Sequence, residues 1–177
     1  MPTGGFIHVY YGDGKGKTTA ALGLALRAAG CGKKVVVVQF LKGWVCGEHK
    51  SISQLQNISL FCGKPASGKF IADMSVDERL ETKASQDGAL RGALKLINTG
   101  LCDILILDEM IDAHRLGVLD TEMTEILIYD KPKFLELVIT GHKPDDRLLR
   151  QADYVTEMIK RKHPYDDGVS ARHGIEF

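Results

Sequence analysis

Residues 10–30, YYGDGKGKTTAALGLALRAAG, gather Gly12, Gly14 and Gly16, Lys15 and Lys17, and Thr18 and Thr19 into one short stretch. A strand-like run precedes them (Phe6, Ile7, Val9, Tyr10) and a helix-forming run follows (Ala20, Leu22, Leu24, Leu26). Backbone amides at such a glycine turn and at a helix N-terminus aim their protons at one spot, where the helix dipole also favours negative charge. That is a phosphate cradle, and the ligand it points to is a nucleoside triphosphate. Lys17 is placed to meet phosphate oxygens as a point charge, and Thr18 to set its hydroxyl on a magnesium ion. The usual loop of this kind has four residues between its first glycine and the Gly-Lys pair. Here Gly12 to Gly16 encloses three, Asp13, Gly14 and Lys15. The tighter loop predicts a triphosphate seated differently from its pose in a kinase or motor ATPase.

A nucleotide site of this type needs an acidic partner at the carboxyl end of a neighbouring strand, where ligands of open α/β sheets collect. The stretch ILILDE supplies Asp108 and Glu109. Both are candidates to hold magnesium, directly or through water, and to neutralise phosphate charge together with Thr18 and Lys17. The competing role for the pair is helix capping after the strand.

The elements that must position these groups alternate along the chain. KKVVVVQF carries an unbroken apolar run between Lys34 and Gln39, which suits a central parallel strand covered on both faces. Ile58 to Phe61 reads as a short strand, and Asp77 to Asn98 as a helix with Leu80, Ala84, Leu90, Leu94 and Ile97 at helical spacing. CDILILDE follows as a buried strand; a turn is expected at Gly117 and a helix after Asp120, a suitable N-cap. KFLELVITG and DYVTEMI supply two more strands around the helical DDRLLRQA, and the last fifteen residues read as irregular. Strands alternating with helices in short units predict a mostly parallel sheet with helices on both faces: the three-layer, RecA-like P-loop NTPase architecture, as a single domain over 1–177.

Composition excludes several other functions. With 23 Lys plus Arg against 23 Asp plus Glu, the formal net charge is zero, and no global field draws the chain to nucleic acid or anionic lipid. Cys31, Cys46, Cys62 and Cys102 form no CxxC pair, so neither a disulfide framework nor a four-sulfur zinc site is expected. No stretch reaches the roughly 18 apolar residues of a membrane span, and the opening MPTGGFIHVYYG runs straight into a strand without an export signal. A reducing cytoplasm is the expected compartment. Cys46 and His49 in CGEH have metal-ligand spacing without a second pair, which reads as a polar loop. Trp44 is either an exposed binding aromatic or a cover for the sheet edge, and His8 is expected to be a satisfied core histidine.

Taken together, GDGKGKTTAALGLALRAAGCGKKVVVVQFLKG, LILDE, LVITG and the closing KHPYDDGVSARHGIEF resemble the P-loop corrinoid adenosyltransferases, over nearly the whole chain. The resemblance implies transfer of the 5'-deoxyadenosyl group of ATP to the cobalt of a reduced cob(I)alamin or cobyrinic acid a,c-diamide, with release of triphosphate. It implies ATP and Mg2+ at the loop, a corrinoid substrate, a reductase that supplies cobalt(I), and a homodimer. Gly12, Asp13, Gly14, Lys15, Gly16, Lys17, Thr18 and Thr19 map onto the family's phosphate loop, with Lys17, Thr18 and Glu109 in catalytic roles and Thr18, Asp108 and Glu109 around the metal. Lys42 and Gly43, Thr140 and Gly141 fall in recurrent family stretches, and His163, Pro164, Gly168 and Gly174 in the closing motif at the nucleotide edge.

The chain departs from the resembled pattern at four places. Better-known members carry a basic helical arm before the first strand, absent here, so the corrin pocket is expected to be more open or covered by a partner subunit. Their GFTW loop brings a Phe and a Trp towards the corrin, whereas this chain reads GKFIADMS, with Phe70, Ile71 and Met74; core packing is the leading expectation for Phe70. Asp13 stands where Asn is frequent, and a carboxylate there must turn outward or pair with Lys15. His142 stands where Arg is frequent. A kinase or ATPase acting at the γ-phosphate, using Arg115, Arg147 or Arg150, and a non-catalytic ATP or corrinoid binder remain the alternatives.

Overall fold

Val35–Gln39 (β2) and Ile104–Asp108 (β4) are buried at every position, as strands with both faces covered must be. They belong to a six-stranded sheet in the computed structural model, which describes residues 4–176. The remaining strands are Ile7–Tyr11 (β1), Ile58–Cys62 (β3), Glu136–Gly141 (β5) and Tyr154–Glu157 (β6). Their order across the sheet is β3-β2-β4-β5-β1-β6, and every pairing is parallel, so the mostly parallel sheet expected from the sequence is wholly so.

Among the described residues six α-helices connect the strands: Lys17–Gly30 (α1), Gly47–Ile52 (α2), Val76–Asn98 (α3), Met110–Arg115 (α4), Thr121–Tyr129 (α5) and Asp146–Gln151 (α6). Period-2 alternation along the strands divides the core in two. Val35, Val37, Ile58, Ile106 and Val138 pack on Ala21 and Ala25 of α1 and on Ile52 of α2. Val36, Val38, Leu105, Leu107, Leu137 and Ile139 pack with Leu90, Ala93 and Ile97 of α3 and with Leu127 and Leu148. The result is the three-layer α/β/α arrangement expected of a P-loop nucleotide-binding fold.

Local chemistry sets the helix starts. Ser75 caps α3 in a reciprocal box, accepting from the Glu78 amide at 3.2 Å while the Glu78 carboxylate accepts from the Ser75 amide at 2.8 Å. Asp120 caps α5 through the Met123 amide at 3.0 Å, as its position before the helix predicts. Two helices escape the sequence pattern. CGEH is not a polar loop: Cys46 is the N-cap of α2, and Glu48 and His49 lie on that helix. Six residues span less than two turns, too few for a hydrophobic period to show in α2 or α4. In the tail, Pro164–Asp167 forms a single 3-10 turn closed by Gly168 in the left-handed region.

Candidate active site

The phosphate loop joins the carboxyl end of β1 to α1, and its glycines answer to the backbone beside it. A Cβ on Gly12 or Gly14 would strike the Met158 carbonyl, which follows β6 and accepts from the Gly14 amide at 2.7 Å. Gly12 and Gly16 also have φ of 113° and 116°, a region costly to any residue with a side chain. The loop therefore bends as the sequence requires, and two of its glycines are needed for close approach to a segment almost 150 positions away.

Lys17 lies folded into this loop, its Nζ donating to the carbonyls of Gly12 at 2.8 Å and Gly14 at 2.9 Å. Both partners are neutral, so a buried ammonium sits at the loop without a bonded counter-charge, which an anion at the cradle would provide. Lys15 donates instead to the Ile175 carbonyl at 3.0 Å, tying the closing segment across the loop. Asp13 turns outward and accepts from the Lys160 amide at 3.0 Å, which holds its carboxyl below the usual range; its partner is not Lys15.

Beneath the loop, Asp108 is fully buried and its oxygens are used up by neighbours. Its Oδ1 accepts from the Thr18 hydroxyl at 2.9 Å and the Thr140 hydroxyl at 2.8 Å; its Oδ2 accepts from Gln39 Nε2 at 3.1 Å, with Lys42 Nζ at 3.8 Å. The sheet order explains this meeting. β5 stands between β1 and β4, so Thr140 on β5 lies beside the acidic strand end, and Asp108 Oδ1 joins it to Thr18 at the start of α1.

Glu109 occupies a different environment one residue on. It adopts a left-handed backbone, φ 61°, at the N-cap position of α4, and its side chain makes no capping bond, so the capping alternative fails for it. Its amide donates to Thr140 Oγ1 at 2.9 Å. A non-glycine residue held there costs of order 1 kcal/mol, a strain that marks functional turns. Burial, then the charges of Asp108 and Asp112, push the Glu109 carboxyl up to about 7. His142 faces the same group, its Nδ1 2.9 Å from Asp112 Oδ2 and 3.9 Å from Glu109 Oε2. Lys42 stands by Asp108 and Arg115 lies 3.3 Å from Asp112, whereas Glu109 has no such cation beside it among the described residues, and its carboxylate and the Thr18 hydroxyl are oxygen donors of the kind that fit a magnesium ion.

These groups open onto a cleft of about 870 Å³ lined by residues 13–19, Lys42, Glu109, His163 and Gly174 among others. Asp108 and Thr140 support it from below. Gly12, Gly43 and Gly141 are not among its lining residues; Gly141 makes room for Ile111 and Asp112, which a Cβ would strike. The sequence reading missed Leu22 and Leu26, whose spacing from Thr18 along α1 was the available signal, and also Glu48, Ser51, Ile175 and Glu176.

Residues 3–177 match the family described as ATP:corrinoid adenosyltransferase BtuR/CobO/CobP. This chain belongs to that family. It is similar to the protein named Corrinoid adenosyltransferase of Escherichia coli (strain K12), 36% identical over 174 residues, covering 98% of this chain and 86% of that protein. It is also 33% identical over 175 residues to the Corrinoid adenosyltransferase of Sinorhizobium sp., covering 98% of this chain and 80% of that one. Corrinoid adenosyltransferase CobA of Salmonella typhimurium is 33% identical over 174 residues, covering 98% of this chain and 86% of its own.

Within this adenosyltransferase chain the 63–75 loop departs from expectation. Phe70 is not packed in the core; it is 84% exposed, while Ile71 and Met74 turn inward and are buried. The turn over 71–73 explains the split, since it begins at Phe70 and points its neighbours inward. Trp44, 64% exposed, does not cover the sheet edge. His8 is held, its Nε2 2.5 Å from Glu136 Oε1 and its ring stacked on Tyr154 at 4.4 Å. No helix among the described residues is long and apolar enough to cross a membrane.

Proposed function

We propose that this chain transfers the 5'-deoxyadenosyl group of ATP to the cobalt of a reduced corrinoid, cob(I)alamin or cobyrinic acid a,c-diamide, and releases triphosphate. The observation that carries this reading is the match of residues 3–177 to the ATP:corrinoid adenosyltransferase family, in a chain where Lys17 and Thr18 after the shortened loop and Glu109 after β4 line one cleft. Cobalt(I) supplies the electron pair of the new cobalt–carbon bond; the C5'–oxygen bond breaks and its pair leaves with the triphosphate. The corrinoid is thus its own nucleophile, and the protein's tasks are positioning, charge neutralisation and exclusion of water.

Leaving triphosphate gathers charge as the bond breaks. The amides of residues 13–19 with Lys17 and Lys15 are the groups that meet this charge, most strongly in the transition state. Thr18, oriented by Asp108, and Glu109 would hold Mg2+, which would supply further neutralisation of the triphosphate. Glu109 loses its proton to take part, and its raised carboxyl favours a bound cation over the free anion. The short loop seats the triphosphate in a reversed sense that leaves C5' open to the corrin. Lys42 flanks one side of the nucleotide, Thr140 supports the floor, and His163 stands at the edge with Gly12 and Thr19 completing the phosphate loop. The enzyme works as a single domain in the cytoplasm, as a homodimer served by a reductase that supplies cobalt(I).

The test is anaerobic: protein, magnesium, ATP and chemically reduced cob(I)alamin, following the absorbance change on alkylation and identifying the phosphate product. Adenosylcobalamin with intact triphosphate, lost in Lys17→Ala, supports the proposal. Orthophosphate without alkylation would sink it in favour of chemistry at the γ-phosphate.

A further inference from the structure

On the far side of Gln39 from the phosphate loop, the structure gathers donors that the sequence keeps apart. Gln39 and Cys62 are register partners at the ends of β2 and β3, so their side chains leave the sheet on the same face. The chain after β2 folds back over that face and starts α2, so that a ligand atom from each of Cys46, Glu48 and His49 lies within 4.8 Å of the others. Cys62 Sγ lies 3.8 Å from His49 Nε2. The missing second sulfur that makes CGEH look like an ordinary loop therefore arrives from β3, thirteen residues beyond His49.

We propose that Cys46, His49 and Cys62, with Glu48 as fourth donor, form a binding site for one zinc-class divalent cation. Two sulfurs, one imidazole and one carboxylate make a four-donor set suited to tetrahedral zinc, whereas magnesium prefers all-oxygen surroundings. Bond lengths of about 2.0–2.3 Å set tetrahedral ligand atoms about 3.3–3.8 Å apart. The His49–Cys62 pair already stands at that spacing, and the buried Cys46 and half-buried Glu48, within 4.8 Å of the ring, close the remainder by side-chain rotation. Burial first, then Glu48, raises the Cys46 thiol, and burial raises that of Cys62, so without a cation both are protonated and poor nucleophiles. Binding the cation releases both protons to solvent.

The site is wired to the cleft. His49 Nε2 is 2.7 Å from Gln39 Oε1, while Gln39 Nε2 donates to Glu48 Oε1 at 3.2 Å and to Asp108 Oδ2 at 3.1 Å. A bound cation takes over His49 Nε2 and Glu48, leaving the Gln39 amide to Asp108 alone. Gly47, Glu48 and Ser51 line the cleft, so the cation fixes one of its walls.

The experiment titrates the reduced full chain with Co2+ as the spectroscopic stand-in for Zn2+, in excess Mg2+. One Co2+ per chain is expected, with a near-ultraviolet thiolate-to-cobalt band that one equivalent of Zn2+ abolishes. The Cys46→Ser/Cys62→Ser variant loses the band and weakens Zn2+ at least about 100-fold, since losing ligands costs more than the 10–100-fold seen for outer partners. In the unmodified chain, Zn2+ protects Cys46 and Cys62, but not the exposed Cys31, from alkylation read by peptide mass spectrometry, a result that does not depend on how the variant folds. Absence of the band, unchanged Zn2+ affinity in the double variant, equal alkylation of the three thiols, or binding that follows Glu109→Gln instead would each overturn the proposal. None of these readouts involves adenosyl transfer, so they stand or fall separately from it.

Discussion

One region, the loop over residues 12–19, is held by its backbone; another, the segments 41–53 and 63–75, presents side chains, of which Lys42, Glu48 and Ser51 line the cleft and none from 63–75 does. On the first, Gly12 and Gly14 press against the Met158 carbonyl, Lys15 is tied to Ile175, and Lys17 is folded into the loop, so the amides are fixed before any ligand arrives. On the second, Trp44, Val45 and Phe70 stand exposed and Leu41 takes a left-handed backbone at the turn away from β2. A wall of fixed amides suits triphosphate, which every ATP presents alike. The projecting rings of the second region, Trp44 and Phe70, are held by no such contacts among the described residues and stand open to solvent.

The contrast is broken most severely at Lys17. Lys17→Ala removes the cation of the rigid wall and is expected to lower kcat/KM for adenosyl transfer about 1000-fold, in the range of losing one preorganised charge-stabilising group, measured anaerobically at saturating corrinoid. Glu109→Gln keeps shape and removes charge, with an expected loss of about 100-fold in activity that raised Mg2+ does not restore.

Glu109 also sets a pH dependence of the unliganded chain. Its folded value of about 7 lies above the ordinary 4.5. Between these two the folded chain keeps a proton that the unfolded chain has released, so stability falls as pH rises through the window and levels off above it. Glu109→Gln should flatten this fall, seen as a smaller difference in Tm between about pH 5 and about pH 8 in metal-free buffer.

Gly14→Ala sharpens the reading of the rigid wall. Its new Cβ would sit 2.6 Å from the Met158 carbonyl, so a loss of about 1–3 kcal/mol in stability and weaker ATP binding are expected, read by thermal melting with and without MgATP. Phe70→Ala is the smallest change. With the ring exposed and outside the core, Tm and ATP affinity should hold, while KM for corrinoid rises a few-fold if apolar contact of this size is lost. A large drop in Tm would return Phe70 to a packing role.

How much of this was legible beforehand depends on how far apart the participants stand in the chain. The loop, Lys17, Thr18 and the Asp108–Glu109 pair were readable because each is a local pattern joined to a strand or helix of ordinary length. The supports were not. Met158 against Gly14, Lys160 on Asp13, Thr140 between Asp108 and Glu109, and Cys62 beside His49 are contacts between distant segments. No period or spacing records them. Asp112, and the place of His142 in the Glu109 cluster, were hidden for the same reason.

The sequence by itself determined the elements and the chemistry of the phosphate site, because hydrophobic period, capping residues and glycine spacing act over a few neighbours and bias the chain before it folds. Only the tertiary structure decided the partners. Sheet order set β5 between β1 and β4 and so placed Thr140 where Asp108 needs a donor, while parallel register put Cys62 opposite Gln39 within reach of α2. The surroundings of each carboxylate follow from that arrangement: Asp108 is met by two hydroxyls, an amide and a lysine, while Glu109 beside it is buried next to other carboxylates and pushed up to about 7.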